Sequence, residues 1–121
     1  MEDQVCDKPT EITKTTEALG VISGKWKLTI LTYLRFGGTH RFNELQRAIP
    51  AITRKMLTVQ LRELEQNGLV ARRVYAQVPP KVEYSLSDYG QTLAPILDSL
   101  HDWGEQHLVR QTATQSAESI R

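Results

Sequence analysis

Apolar side chains recur at intervals of three and four over three successive stretches in the first half of the chain, the spacing of one helix face. The first stretch covers residues 23–38, with Ser23 at its start and a Gly-Gly pair at its end. The second covers 41–50 and ends at Pro50, because the residue before a proline resists the helical conformation. The third covers 52–70. The pattern therefore predicts two helices, a short turn and a third helix.

The third predicted helix has one apolar side and one basic, polar side. Leu57, Leu61 and Leu64 share the apolar side, and Thr53 is placed to cap the helix start. The opposite side presents basic, polar and aliphatic side chains, namely Lys55, Thr58, Val59, Arg62 and Gln66. Arg and Lys read guanine edges in the major groove, Thr serves any base, and aliphatic groups meet the thymine methyl. This face is therefore suited to DNA.

After Gly68 the apolar period changes to two, which predicts a hairpin with strands near 70–74 and 81–86. Two prolines at its tip lack the amide hydrogen that a strand ladder needs. A final helix over 87–108 carries a broad apolar stripe, and Pro95 is expected to bend it. The order of these elements is that of a mainly helical α+β fold, a winged helix-turn-helix.

Length and charge agree with one DNA-binding domain. The 121 residues are 40% hydrophobic and 24% charged, which suits one core. The net charge is only +1, yet residues 24–84 hold eleven Lys and Arg against four Glu, a net +7, and each flank carries −3. A basic block of this kind is the footprint of a polyanion partner, although a solvated basic face remains open on charge alone.

The sequence gives little support to an enzyme, a zinc protein, a membrane protein or a secreted protein. No G-x-S-x-G or phosphate-loop motif is present, and one cysteine with scattered histidines cannot form a zinc site. No apolar run approaches the ~20 residues that cross a bilayer, and the N-terminus is acidic where a secretory signal is basic. We expect a cytoplasmic protein that is not an enzyme and has no cofactor, metal or membrane partner.

Five motifs make the chain resemble the HxlR-type transcriptional regulators, a branch of the MarR-like winged helix-turn-helix family. They lie between residues 24 and 104 and read GKWKLTIL, RFNELQRAI, ITRKMLTVQLRELEQNGLV, VPPKVEYSLSDYG and LHDWG. The resemblance implies a bacterial or archaeal homodimer with the third helix in the major groove, the wing on the adjacent groove or backbone, and terminal helices that pair the protomers. It also favours repression.

These inferences divide the chain into a flexible N-terminal arm over 1–11, a winged-helix domain with its terminal helices over 12–108, and a disordered polar tail over 109–121. The residues expected to bind a double-stranded operator are Arg41, Asn43, Thr53, Arg54, Lys55, Thr58, Val59, Arg62, Arg73 and Lys81. The alternative is a winged-helix protein-interaction module without specific DNA binding, against which the central positive charge argues.

The acidic ends contain more apolar residues than a small core needs from two terminal helices, which predicts a homodimer. The interface is expected at Ile12, Leu19, Ile22, Leu93, Leu97, Leu100, Trp103 and Leu108. Arg35 and Arg47 remain either solvated charges or phosphate contacts. Arg72 and Arg73 remain either edge-strand protection or DNA contacts.

Cys6 is the candidate redox residue, with two interpretations open. Some proteins of the family carry a cysteine about eleven residues before the GKW glycine, where oxidation alters the dimer, but Thr13 occupies that position here. Asp3 and Asp7 disfavour a reactive thiolate. Two Cys6 residues of a dimer could nevertheless pair. Cys6 is therefore either a switch or an incidental thiol, and any small-molecule effector is unknown.

Overall fold

The structure, a computed structural model, describes the backbone of residues 2–120 and the side chains of residues 10–115. Within that part of the chain, helices and strands follow in the order α1 (Glu2–Ile22), α2 (Lys27–Gly37), β1 (His40–Arg41), α3 (Phe42–Ala48), α4 (Arg54–Gln66), β2 (Val70–Tyr75), β3 (Lys81–Leu86), α5 (Asp88–Gln91) and α6 (Ala94–Ile120). The predicted mainly helical winged helix-turn-helix is confirmed, with α3 and α4 as the helix pair and β2–β3 as the wing.

The core lies between α2, α3, α4 and the inner face of the sheet. Leu57, Leu61 and Leu64 of α4 are all buried, as their spacing predicts. They join Ile30 and Leu31 of α2 in one continuous cluster. Full burial of each such side chain contributes roughly 1.5–3 kcal/mol. This packing fixes which side of α4 remains outside.

Both ends of α4 are set by local sequence. The Thr53 hydroxyl accepts a hydrogen bond from the Met56 amide at 3.0 Å, which satisfies one of the unpaired donors of the first turn. At the other end Asn67 is the C-cap and Gly68 follows with φ +79°, a left-handed conformation that glycine adopts without strain. Both predicted ends of this helix are confirmed.

The sheet is antiparallel, with strand order β1-β3-β2. In the wing, Arg72 lies opposite Tyr84 and Arg73 opposite Glu83. β1 pairs with the other edge of β3, which places Arg41 opposite Glu83. The sequence did not predict β1, because two residues are too short to show an alternating pattern.

Helix α5 packs closely against the chain that leaves α4. A Cβ atom on Gly90 would lie 2.1 Å from the carbonyl oxygen of Leu69, so only glycine fits there. The Ser87 hydroxyl caps the helix by accepting from the Gly90 amide at 2.9 Å. The same hydroxyl donates to the Gly68 carbonyl. These bonds join α5 to the C-terminal end of α4.

Two sequence-based expectations for the helices differ from the structure. Ser23 does not cap α2, which begins only at Lys27 after a turn. Pro95 does not bend a long helix, because the chain breaks between α5 and α6 and Pro95 then lies in the first turn of α6, where its missing amide costs little.

The described parts of both terminal segments are helical, residues 2–11 within α1 and residues 109–120 within α6. The division into an arm over 1–11 and a tail over 109–121 stays a prediction. Negatively charged residues near the start of a helix, as in α1, interact favourably with the helix dipole. The tail contains no glycine or proline, and extending a nucleated helix is cheap. The boundaries at 12 and 108 remain predictions.

Candidate DNA-binding interface

The outer face of α4 carries half of the residues that the sequence selected for DNA. Arg54, Lys55, Val59 and Arg62 are exposed. Thr58 is half-buried, and its hydroxyl donates to the Arg54 carbonyl at 2.8 Å, so its oxygen can only accept from a partner. The α4 helix thus presents two long cations, one guanidinium at its first turn and one apolar side chain.

Arg54 is held at the corner between α3 and α4. Its Nη1 donates to Asn43 Oδ1 at 3.4 Å, and its guanidinium lies 4.7 Å from the centre of the Phe42 ring. Stacking on an aromatic face orients a guanidinium without consuming its charge. Asn43 and Arg54, predicted from separate helices, are therefore brought together at the N-terminal end of α4.

A cleft of about 430 Å³ separates α4 from the inner face of the wing. Its lining residues are Phe42, Arg54, Thr58, Leu61, Arg62, Glu65, Arg72, Val82 and Tyr84. Arg72 points to this side because it lies opposite Tyr84 in the ladder. The sequence left Arg72 open, as edge-strand protection or a DNA contact, and did not select it among the DNA-binding residues. The alternation of β2 with β3 could have placed it beside α4.

The outer face of the sheet carries a second group of charges, which we call the wing cluster: Arg41, Arg73, Tyr75, Lys81 and Glu83. Lys81 Nζ lies 3.7 Å from Glu83 Oε2. The Arg73 and Lys81 cations each lie 4.7 Å from the centre of the Tyr75 ring. The structure thus brings Arg41 of β1 to the same surface as Arg73 and Lys81 of the wing.

The charges of the wing cluster influence one another. A hydrogen bond with Glu83 raises the pKa of the Tyr75 hydroxyl above its ordinary range. The same hydrogen bond lowers the pKa of Glu83, and the positive charges of Lys81, Arg41 and Arg73 lower it further against the opposing effect of desolvation. The carboxylate is therefore ionised at neutral pH.

The residues predicted for a dimer interface fall into two groups. Large apolar side chains remain exposed on α1 and α6: Ile12, Leu19, Leu100, Trp103 and Leu108. Ile22 and Leu97 are instead buried in the core, and Leu93 packs against it. Burial removes Ile22 and Leu97 from an exposed surface, whereas the half-buried Leu93 and the exposed residues remain predictions for the interface. A helical stripe shows which residues are apolar and not which protein surface covers them.

The structure bears on several smaller features that the sequence raised. Arg35 forms an ion pair with Asp98, a partner that neither interpretation predicted, whereas Arg47 is exposed and remains open. Among the described residues, no group of three or more His, Cys, Asp and Glu could hold a metal ion. Nor does any described helix have the length and apolar character to cross a membrane. The Cys6 side chain lies outside the described residues.

A family model described as an HxlR-like helix-turn-helix matches residues 21–112. YybR, an HTH-type transcriptional regulator of Bacillus subtilis, is 57% identical over 89 residues, which are 74% of this chain and 70% of YybR. The redox regulator HypR in its reduced form is similar in structure, with a TM-score of 0.72, 51% identity and coverage of 87% of this chain and 98% of HypR. Diamide-treated YodB from B. subtilis has a TM-score of 0.63 at 33% identity, over 77% of this chain and 91% of YodB.

Proposed function

The chain belongs to the HxlR-like helix-turn-helix family and is a DNA-binding transcriptional regulator, and on this premise we propose that it is a homodimeric repressor of a pseudo-palindromic operator. The family is not one of enzymes, and catalysis forms no part of the proposal. The protein acts in the cytoplasm of a bacterium or archaeon, where its operator lies.

The outer face of α4 is the observation that carries this proposal. Within the described residues, neither Lys55 nor Arg62 forms a salt bridge, so both cations can meet DNA without breaking one. Arg62 reads a base edge or a phosphate, while Val59 contacts a thymine methyl. Thr53 and Thr58 lie on the same helix and complete its polar surface. Helix α4 therefore enters the major groove with the stretch from Arg54 to Arg62.

The corner and the wing supply contacts on either side of α4. Asn43 and Arg54 lie at the start of α4, where they reach the sugar-phosphate backbone. Arg73 and Lys81 project from the outer face of the wing and meet the adjacent groove or backbone, together with Arg41 of β1. Phosphate contacts of this kind position a protein on the duplex, and base contacts specify the sequence.

The homodimer is supported by the exposed apolar surface of α1 and α6. Trp103 has 63% of its surface exposed, and it shares α6 with the exposed Leu100 and Leu108. Exposed apolar surface of this extent is typical of an interface. A two-fold dimer places two copies of α4 about 10 bp apart, or a small multiple of that, and so requires a pseudo-palindrome.

A gel-shift titration against the upstream region of the protein's own gene tests the proposal. We expect a discrete complex that survives an excess of unrelated duplex and weakens as salt is raised, because bound phosphates release counterions. If the protein is a winged-helix interaction module instead, it will bind no duplex at low salt. A complex that unrelated DNA displaces at equal concentration would also contradict the proposal.

An oxidant is the candidate effector, because one relative is named a redox regulator and another was crystallised after diamide treatment. A Cys6-dependent disulfide between protomers would link oxidation to operator affinity. Titration of operator binding with diamide and then dithiothreitol, for wild type and Cys6→Ser, tests this. A reversible change above about threefold, a difference of ~0.7 kcal/mol, that Cys6→Ser abolishes supports a switch. Unchanged binding makes Cys6 a bystander.

A further inference from the structure

We propose that Glu83 is a positioning residue that holds Arg41, Arg73 and Lys81 in the arrangement in which they meet DNA, and that it thereby contributes to operator specificity. This inference rests on the proposed function. It assigns a role in DNA binding to a carboxylate, a group that phosphate repels and that sequence reasoning leaves out of a DNA interface.

The strand register places Glu83 at the centre of the outer face. It lies on the middle strand, opposite Arg41 on one side and opposite Arg73 on the other. Residues directly opposite one another in an antiparallel pair share a sheet face, with Cβ atoms about 4.5–5.5 Å apart. A row of arginine, glutamate and arginine therefore runs across all three strands.

Two further contacts join this row to the wing near its tip. Lys81 lies 3.7 Å from the Glu83 carboxylate. Tyr75 lies opposite Lys81 in the ladder, and the nearby Glu83 raises the pKa of its hydroxyl. The cations of Arg73 and Lys81 also lie over the ring of Tyr75. Glu83 thus lies beside Lys81, Tyr75 lies beside Arg73 and Lys81, and Arg41 faces Glu83 from the third strand.

Burial distinguishes Glu83 from an ordinary surface charge. Its side chain is only 22% exposed and that of Lys81 only 26%, whereas the paired Glu11 and Lys14 on α1 are about 70% exposed. Partly buried side chains have fewer conformations open to them, and they therefore lose less conformational entropy when they bind a ligand. The wing therefore presents its cations already ordered.

Removal of the Glu83 charge has two opposite effects, which makes the inference testable. Repulsion between Glu83 and phosphate disappears, and this effect strengthens binding to any DNA sequence. The cations also lose the group that orders them, and this effect weakens binding only where their positions matter, at the operator. A merely repulsive Glu83 produces the first effect alone, whereas a positioning Glu83 produces both.

The experiment compares Glu83→Gln with wild type on the operator and on an unrelated duplex of equal length, by fluorescence anisotropy. We expect the ratio of the two dissociation constants to fall by about threefold to tenfold, because the two cross-strand pairs of Glu83 with Arg41 and Arg73 and its ion pair with Lys81 all depend on the charge. Binding to the unrelated duplex is expected to stay constant or to strengthen. A specificity ratio equal to that of wild type would overturn the inference, whether both affinities rise together or neither changes.

Two further variants keep the test decisive. Glu17→Gln makes the same change in net charge at an exposed site on α1, and it should leave the specificity ratio unchanged. Tyr75→Phe removes the hydroxyl bond to Glu83 without altering any charge, and it should lower the ratio in the same direction by a smaller factor. An unchanged ratio for Tyr75→Phe would contradict positioning even if Glu83→Gln fails to fold. If wild type itself shows no preference for the operator, the proposed function fails rather than this inference.

Discussion

The guanidinium of Arg35 donates two hydrogen bonds to the carboxylate of Asp98, at 3.0 Å from Nε and 2.8 Å from Nη2, across 63 positions of sequence. The pair joins the last turns of α2 to the first turns of α6. The bonded guanidinium lowers the pKa of Asp98, and the bonded carboxylate raises the pKa of Arg35. The ion pair thus links α2, which packs in the core, to α6, which carries the exposed apolar surface.

Asp98→Asn is expected to lower the midpoint of thermal unfolding at pH 7. Because the pKa of Asp98 is below its ordinary value of 3.8 in the folded state, its ionised form stabilises the fold above that pH. This contribution is lost as pH falls through the lower, folded pKa. The difference in midpoint between wild type and variant should therefore shrink on acidification. A difference that is constant with pH, or that equals the effect of Asp102→Asn on the same helix, would contradict this account.

Gly90→Ala is expected to destabilise the protein by at least about 1–3 kcal/mol, because its new methyl group meets the Leu69 carbonyl and the backbone must shift. Urea unfolding measures the change. Gly20→Ala on α1 is the matched control, since no atom lies within 4 Å of its added Cβ. That variant should be neutral or more stable by up to ~1 kcal/mol. Equal effects at the two sites would show that the close approach at Gly90 does not limit stability.

Trp103→Glu is expected to convert a dimer to a monomer, because it would bury an unpaired charge in the proposed interface. Light scattering at micromolar concentration measures the mass directly. Val74→Glu introduces the same charge on an exposed apolar position of the wing, and this variant should stay dimeric. A wild-type protein with the mass of one protomer would end the dimer proposal, and with it the pseudo-palindrome.

Arg62→Ala should weaken operator binding by ~1–3 kcal/mol if the side chain reads a base edge, and should relax the preference at one position of the operator. Arg110→Ala removes the same charge from an exposed site on α6 and should change affinity little. Equal weakening on every duplex would make Arg62 a phosphate contact. Unchanged affinity would remove it from the interface.

Local patterns were enough to predict α4 and the face that it exposes. The leucines of α4 define its buried side through spacing alone, and Thr53 and Gly68 end the helix through contacts within a few residues. The exposed face is then the side of the helix opposite these leucines. For this reason the exposure of Lys55, Val59 and Arg62 could be predicted without any knowledge of tertiary structure.

The features that the sequence missed depend on distant parts of the chain. The approach of Arg41 to Glu83 exists only because β1 adds to the edge of β3, and a two-residue strand leaves no periodic signal. Leu97 lies on the same apolar stripe as Trp103, yet it is buried while Trp103 is exposed, since packing against α2 decides which side of α6 is covered. The partner of Arg35 could not be predicted either, because Asp98 lies 63 positions away in the sequence.

Selection of bound duplexes from a random-sequence library, followed by sequencing, tests the central claim most directly. A homodimer that inserts two α4 helices into successive major grooves should enrich sequences with two inverted half-sites, their centres about 10 bp or a small multiple apart. The enriched pool should lose its preference at one position in each half-site when Arg62→Ala replaces wild type. Enrichment of a single half-site would contradict the dimer, and a pool that stays random at low salt would contradict sequence-specific recognition itself.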